Sequence, residues 1–408
     1  DKFWQMNNMK NIIILFLYIG LWSCNSAENK NTSFNQFIEN IQNSPVEKRN
    51  DLVQNYLSKI IKTPIIENNK TVHFVAYLKA DSLSIRGDLQ NGWATPHKMS
   101  VINCGELNLF YKTYEIPSNS QIEYQFVLNG ETVLDSLNSD IEVNFEFGDR
   151  NIFRMPKFVK SPYLDLRQAV KKGSIVSRIL KSKTELFLDR KIYIYLPPNY
   201  NKEKSYPVML VYDGDVKLYT TPYKNVLDNL IHDSLIVPII TVFIPAMDRN
   251  NEVCEENIDF ANYLVNEIIP FIKADYNTYN KPENWGIMGA SGGGMISIAT
   301  GLLYPEYIAN IASQSGTIYE NWCNDKILFS TYLAKKEKHP LRNFYINVGT
   351  FDLEFPYANT TLLQEVRMFN RRLDSLSIPY KYFEYNDGHR DSNWNQTIDD
   401  ILIQFFGK

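Results

Sequence analysis

Cysteine is scarce: the chain has four in 408 residues, at Cys24, Cys104, Cys254 and Cys323, and none form a CxxC pair. That spacing excludes a disulfide scaffold and removes the usual support for structural zinc or thiol redox chemistry, so no metal and no cofactor is expected. A basic excess is also missing. With 42 Lys and Arg against 46 Asp and Glu, the net charge is −4, which leaves nothing to neutralise a phosphate backbone, so nucleic acid is not an expected partner. Glycine and proline, 18 of each, are too few for a collagenous or low-complexity chain. Histidine is limited to five positions, which makes each one informative. What is present is an ordinary globular composition, 44% hydrophobic and 22% charged, at a length that suggests roughly two to three domains.

The longest apolar run lies near the start. Lys10 precedes Ile12 to Leu21, enough for a signal h-region but short of the ~20 residues that span a bilayer. Behind it, Leu21-Trp22-Ser23-Cys24 resembles a bacterial lipobox, with an apolar residue at −3 and a small one at −1, although Trp22 stands where a small residue is usual. Residues 1–24 therefore predict a signal peptide ending at a lipid-anchored Cys24. The expected location is exported, as a periplasmic or outer-membrane lipoprotein of a bacterium, with the anchor tying it to a membrane.

Three stretches follow. Residues 25–66 read as a polar tether and two short amphipathic helices, because Phe34, Phe37, Ile38 and Ile41, then Leu52, Val53, Tyr56, Leu57, Ile60 and Ile61, recur at three- and four-residue spacing around Pro45. Over 67–157 the period falls to two, in Val72-Phe74-Ala76-Leu78, Leu83-Ile85, Leu107-Leu109-Tyr111 and Tyr124-Phe126-Leu128. The last run ends at Asn129-Gly130, a strong hairpin signal. This predicts a β-sandwich of immunoglobulin-like size. From 158 to 408, apolar strands alternate with helical segments: Ile192-Tyr195, Val208-Tyr212, Ile239-Ile244, Trp285-Met288, Ile308-Ser313, Phe344-Val348 and Tyr380-Tyr385. Such alternation predicts an α/β domain with a mostly parallel sheet covered on both faces.

The chemistry gathers in that last stretch. Gly289-Ala290-Ser291-Gly292-Gly293 places a serine in Gly-x-Ser-x-Gly between an apolar strand and a helical segment, the setting of a nucleophile elbow. In the hydrolase order of nucleophile, acid, histidine, the base must follow Ser291. His73, His97 and His232 precede it, His339 sits in a charged run before a strand, and His389 follows the final strand in Asn386-Asp387-Gly388-His389. Asp352 and Glu354 both follow the penultimate strand and compete for the acid, with Asp352 favoured. The oxyanion would be held by the backbone N–H of Gly292 and by that of Asp215, in the loop after Val208-Tyr212. Arg249 and Glu252, in the loop after Ile239-Ile244, could border the pocket or simply pair with each other; Trp394 is a further candidate for substrate contact.

These residues resemble the enterochelin esterase-type serine esterases, related to feruloyl esterases, formylglutathione hydrolases and mycolyltransferases. The resemblance spans about 67–408 and is carried by Leu196-Pro197-Pro198-Asn199-Tyr200, Asp213-Gly214, Asp248-Arg249-Asn250-Asn251-Glu252, the elbow, Ser313-Gln314-Ser315-Gly316 and Asp387-Gly388-His389. It implies an α/β-hydrolase fold preceded by an immunoglobulin-like domain, suggested by Arg86 to Trp93 and Leu134 to Asn138, and hydrolysis of a catecholate siderophore ester. Two features depart from that family. Thr317-Ile318-Tyr319-Glu320 follows Ser-Gln-Ser-Gly where an aromatic pair is usual, and there is no basic excess for an anionic ferric catecholate. The alternatives are a feruloyl or acetyl esterase acting on a glycan-linked ester, an acyltransferase using the same triad, and a glycan-binding lipoprotein with a vestigial hydrolase domain.

Overall fold

The computed structural model describes residues 33–89, 93–143, 148–255, 257–318, 343–355 and 359–408. The leader, Cys24, Cys323 and His339 lie outside them. Two helices, Phe34–Gln42 and Val46–Leu57, stand where the spacing predicts them. The first is capped reciprocally: the Ser33 hydroxyl accepts the Gln36 N–H while the Gln36 side chain accepts the Ser33 N–H.

Two antiparallel sheets follow. The first is ordered Ile65–Glu67, Thr71–Leu78, Asn108–Glu115, Ser100–Asn103; the second is His97–Lys98, Ser84–Gly87, Gln121–Leu128, Arg150–Arg154, Ile141–Glu142. Alternation along Thr71–Leu78 divides its side chains between two environments. Phe74 and Ala76 join Ile85, Tyr124 and Phe153 in a core between the sheets. Val75 packs instead with Phe34, Phe37, Ile41 and Val53, so the two helices cover the outer face of the first sheet. Asn129 and Gly130 turn the predicted hairpin with φ of 52° and 86°, both in the left-handed region that a type I′ turn requires.

The remaining chain builds an eight-stranded sheet, whose strands are numbered here in chain order: β1 Ser174–Leu180, β2 Arg190–Leu196, β3 Val208–Tyr212, β4 Ile240–Ile244, β5 Trp285–Ala290, β6 Asn310–Gln314, β7 Asn343–Gly349 and β8 Lys381–Tyr385. Their spatial order is β1-β2-β4-β3-β5-β6-β7-β8. The first two strands pair antiparallel, and all pairings from β4 onward are parallel. Leu210, Ile287, Ile311 and Ile346 face helix Gly292–Leu303 on one side. Met209, Val211, Met288 and Tyr345 face helices Tyr223–His232 and Ile398–Phe406 on the other. The expected strands fall within a residue or two of the observed ones, but β1 was not expected: it is an edge strand with Ile179 exposed, so neither face carries the apolar signal of a buried strand. Cys254 is disulfide-bonded, and Cys104 is a buried free thiol.

Phe34 is fully buried against the sheet and stacks on His73 with ring centroids 4.2 Å apart. Phe34→Ala should lower stability by about 3–5 kcal/mol, measured by urea unfolding followed in the far-UV. A loss under 1 kcal/mol would show that the helix pair does not stabilise the sheet.

Candidate active site

Four neighbouring parallel strands end on the same side of the sheet, and the candidate residues sit just beyond those ends. Ser291 follows β5, Ser315 follows β6, Asp352 lies past β7 and His389 past β8. Adjacent strands are about 4.8 Å apart, so this order alone gathers the four residues into one crevice, at the edge where open α/β sheets bind ligands.

Ser291 has φ 55° and ψ −126°, a strained conformation for a side-chain-bearing residue. The strain is held by hydrogen bonds: Ser291 N–H donates to the Gln314 carbonyl at 2.9 Å, and the Ser291 carbonyl accepts from Thr317 N–H at 3.2 Å. Gly289 is required by close approach, because a Cβ there would run into the backbone of Gly293. The helix Gly292–Leu303 then starts directly behind the serine, which aims its first N–H groups towards the elbow.

Asp352 and His389 are paired. His389 Nδ1 lies 2.6 Å from Asp352 Oδ1, and both residues are buried. The second carboxylate oxygen accepts from Ser315 Oγ at 2.6 Å and Gly349 N–H at 3.2 Å, and Oδ1 also accepts from Leu353 N–H at 2.7 Å. Burial pushes the Asp352 pKa up, but the charge of His389 and the hydrogen bonds from His389, Ser315 and Leu353 outweigh it, so it stays below the usual carboxylate value. Glu354 does not take part in this pairing; it lies in the short strand Glu354–Phe355, paired with Thr360–Thr361. Trp394 packs its ring edge-on to His389 at 4.9 Å between centroids and donates its indole N–H to Ser315 Oγ at 3.0 Å. Lys217 sits over the same indole, 4.9 Å from its centroid, and pairs with Asp391.

The loop after β4 is arranged differently from the expectation that Arg249 and Glu252 could pair. Arg249 donates to both oxygens of Asp213, Nε to Oδ1 at 2.9 Å and Nη2 to Oδ2 at 3.0 Å, and lies against the Ala290 carbonyl beside the elbow. Glu252 is buried, bound by Arg190 Nη2 at 2.6 Å and by the Tyr212 hydroxyl at 2.8 Å, and it accepts the Met247 N–H. Its carboxylate ties β2, β3 and the loop together and is turned away from solvent. Asp215 lies in the first turn of helix Gly214–Tyr219, after Asp213 in a left-handed conformation with φ 54°. Among the described residues, no group of His, Cys, Asp and Glu could hold a metal ion. Sequence reading missed the role of Ser315, although the Ser-Gln-Ser-Gly run that contains it was visible.

The sheet order, with its crevice at the strand ends, is that of an α/β-hydrolase fold. The chain belongs to the Putative esterase family, whose family model matches residues 184–405, and it is an ester hydrolase. Iron(III) enterobactin esterase of Escherichia coli K12 is 26% identical over 167 residues, 40% of this chain and 41% of that one, so the match spans less than half of that relative. An uncharacterized Bacillus subtilis protein, YjcH, is 24% identical over 243 residues, 57% of this chain and 98% of that one. Among solved structures, the ferric enterobactin esterase of Salmonella typhimurium superposes with TM-score 0.69 at 16% identity, covering 86% of this chain and 98% of its own. A ferulic acid esterase from Anaeromyces mucronatus gives 0.50 at 20%, covering 60% and 93%. At these identities the structural likeness is one of fold.

Asp387, two residues before His389, is partly buried, and burial together with the charges of Asp352 and Asp88 raises its pKa well above the usual carboxylate value. Its charged form is therefore disfavoured in the folded chain, a cost that begins as pH rises through the unfolded pKa of about 4 and grows until the raised folded pKa is reached. Asp387→Asn should raise Tm at pH 7, with the difference vanishing near pH 4. A Tm gain that is the same at both pH values would contradict this assignment.

Proposed function

We propose that the chain hydrolyses a carboxylic ester by a Ser291–His389–Asp352 triad. The observation that carries the reading is the buried Asp352–His389 hydrogen bond beside a strained serine elbow. Asp352, ionised and held by Ser315 and two backbone N–H groups, fixes the imidazole with Nδ1–H towards it and leaves Nε2 to take the Ser291 proton. The alkoxide attacks the ester carbonyl, and His389 returns the proton to the leaving alcohol. Water, activated by the same imidazole, then releases the acid and frees the serine. The backbone N–H groups of Gly292 and Asp215 receive the developing oxyanion. Arg249, about two-fifths exposed beside Gly292, and Trp394 border the substrate.

For the substrate we favour a catechol-bearing serine ester. The likeness to the enterobactin esterases, one of them determined with enterobactin and another with 2,3-dihydroxy-N-benzoyl-serine, extends over 86% of this chain, N-terminal sheets included, whereas the ferulic acid esterase likeness stops at 60%. The N-terminal sheets are assigned to an immunoglobulin-like domain at 67–157, ahead of the hydrolase at 158–408. We place the protein outside the cytoplasm, anchored by lipid on Cys24. The leader pattern supports this, as does a disulfide at Cys254, which suits an oxidising compartment.

Ser291→Ala and His389→Ala should each lower kcat on p-nitrophenyl acetate by several powers of ten without loss of fold, as triad members act as a unit. Asp352→Asn should be crippling and Glu354→Gln mild. Near wild-type turnover in either of the first two variants would end the mechanism. A catecholate-serine ester should be preferred over feruloyl and acetyl esters, and the reverse order would reassign the substrate.

Mass spectrometry of the mature protein should find lipid on Cys24. An unmodified N-terminus, or cleavage elsewhere, would refute the anchor.

A further inference from the structure

The loop that carries His389 is held from two sides, and one side is not part of the hydrolase sheet. On the hydrolase side, Thr350 N–H donates to the Tyr385 carbonyl at 2.7 Å and Phe351 N–H to the Asp387 carbonyl at 3.0 Å, which joins the acid loop to the base loop. On the other side stands the strand Gln121–Leu128 of the N-terminal sheets. Gln121 N–H donates to the Asn386 carbonyl at 3.2 Å, and its side-chain Nε2 donates to the Ser392 carbonyl at 3.0 Å and to Asn393 Oδ1 at 2.7 Å. Asn393 in turn donates to the Gly388 carbonyl at 2.9 Å, the residue directly before His389.

Glu123, two residues along the same strand and on the same face, accepts the Ser392 hydroxyl and faces Arg150 and Arg390. Arg390 donates to the His389 carbonyl at 2.6 Å, and the guanidinium groups of Arg150 and Arg390 each lie 4.6 Å from the centroid of the Trp93 ring. The Trp93 indole N–H is accepted by Asp88 at 2.7 Å. Gly388 has no room for a side chain, because a Cβ there would overlap the Asp88 carboxylate. Phe351, next to the triad acid, packs against the core between the two N-terminal sheets.

We propose that the N-terminal sheets are a working part of the active site, with Gln121 and Glu123 as positioning residues that fix the Asn386–Asn393 loop and so aim His389 at Ser291. This rests on His389 being the base. Neither residue touches the reacting atoms. Both act through hydrogen bonds to Ser392 and Asn393, whose positions set the backbone on either side of the imidazole. The arrangement is costly to build. Burial and the charge of Asp88 push the Glu123 carboxyl up to about 7, against the opposing hydrogen bond from Ser392 and the charges of Arg390 and Arg150. A surface module joined only by a tether would have no use for such a cluster.

The test uses the full chain. Gln121→Glu changes almost no volume and keeps the oxygen that accepts Arg154 at 2.8 Å, but it sets an oxygen against two acceptors of the loop. Ser392→Ala removes the hydroxyl held by Glu123. Each should lower kcat on p-nitrophenyl acetate about 10- to 100-fold, the scale of a reacting group displaced by about 1 Å, with KM within about twofold. The comparison is Ile85→Val, in the core between the N-terminal sheets and away from the loop, which should lower Tm while leaving kcat within about twofold. Wild-type kcat in both loop variants, or losses no greater than those of Ile85→Val at equal Tm, would overturn the proposal. If Gln121→Glu fails to fold, Ser392→Ala decides alone. Turnover that survives His389→Ala in the same assay would instead reject the triad, a separate result.

Discussion

A buried carboxylate is tolerated only when its lone pairs are met by donors, and the rest of this structure depends on how that is done for Asp352. Its donors come from separate places: His389 beyond β8, Ser315 beyond β6, and the backbone N–H groups of Gly349 and Leu353 in its own loop. Only a parallel sheet in this order ends those strands together. Trp394 adds a lateral limit, because one indole donates to Ser315 while its ring meets that of His389 nearly at right angles. Displacing any one of these groups would loosen the others, which is why the site behaves as one constraint and not as three separate side chains.

Buried acids are unusually dense around this point. Asp88, Glu123 and Asp387 all have carboxyl groups raised by burial, and each lies on or against the His389 loop. Arg150 and Arg390 balance part of that charge and Trp93 lies against both. Charged groups placed this way lower stability unless each geometry is good. Local conflicts of this kind are expected where function, and not stability, decides the residues.

Much of this was readable along the chain, for physical reasons that differ by element. β3 was legible to the residue because all five of its side chains are buried and apolar, whereas the half-exposed β1 lacked any such run. Chain order pointed to His389 and to the two carboxylates Asp352 and Glu354, because a hydrolase sheet imposes that order, but it did not by itself choose between the two acids. The arginine after β4 was harder. Spacing pointed from Arg249 to Glu252, three residues on, but its actual partner Asp213 arrives from the end of β3, and nothing local in sequence reports that meeting. The hold of Gln121 on the His389 loop was wholly hidden, since it joins residues 271 and 272 apart and leaves no periodic trace in either segment.

That long separation bears on when the enzyme can first act. Synthesis proceeds from the N-terminus, and domains generally fold as units while the rest is still being made. The strand Gln121–Leu128 can be paired and its sheet closed long before Ser392 and Asn393 exist. Until they arrive, Glu123 and Asp88 remain without their partners from the loop, and the Asp352–His389 pair cannot form. A chain still being synthesised therefore lacks a finished crevice, and the site is complete only when segments 271 residues apart have met.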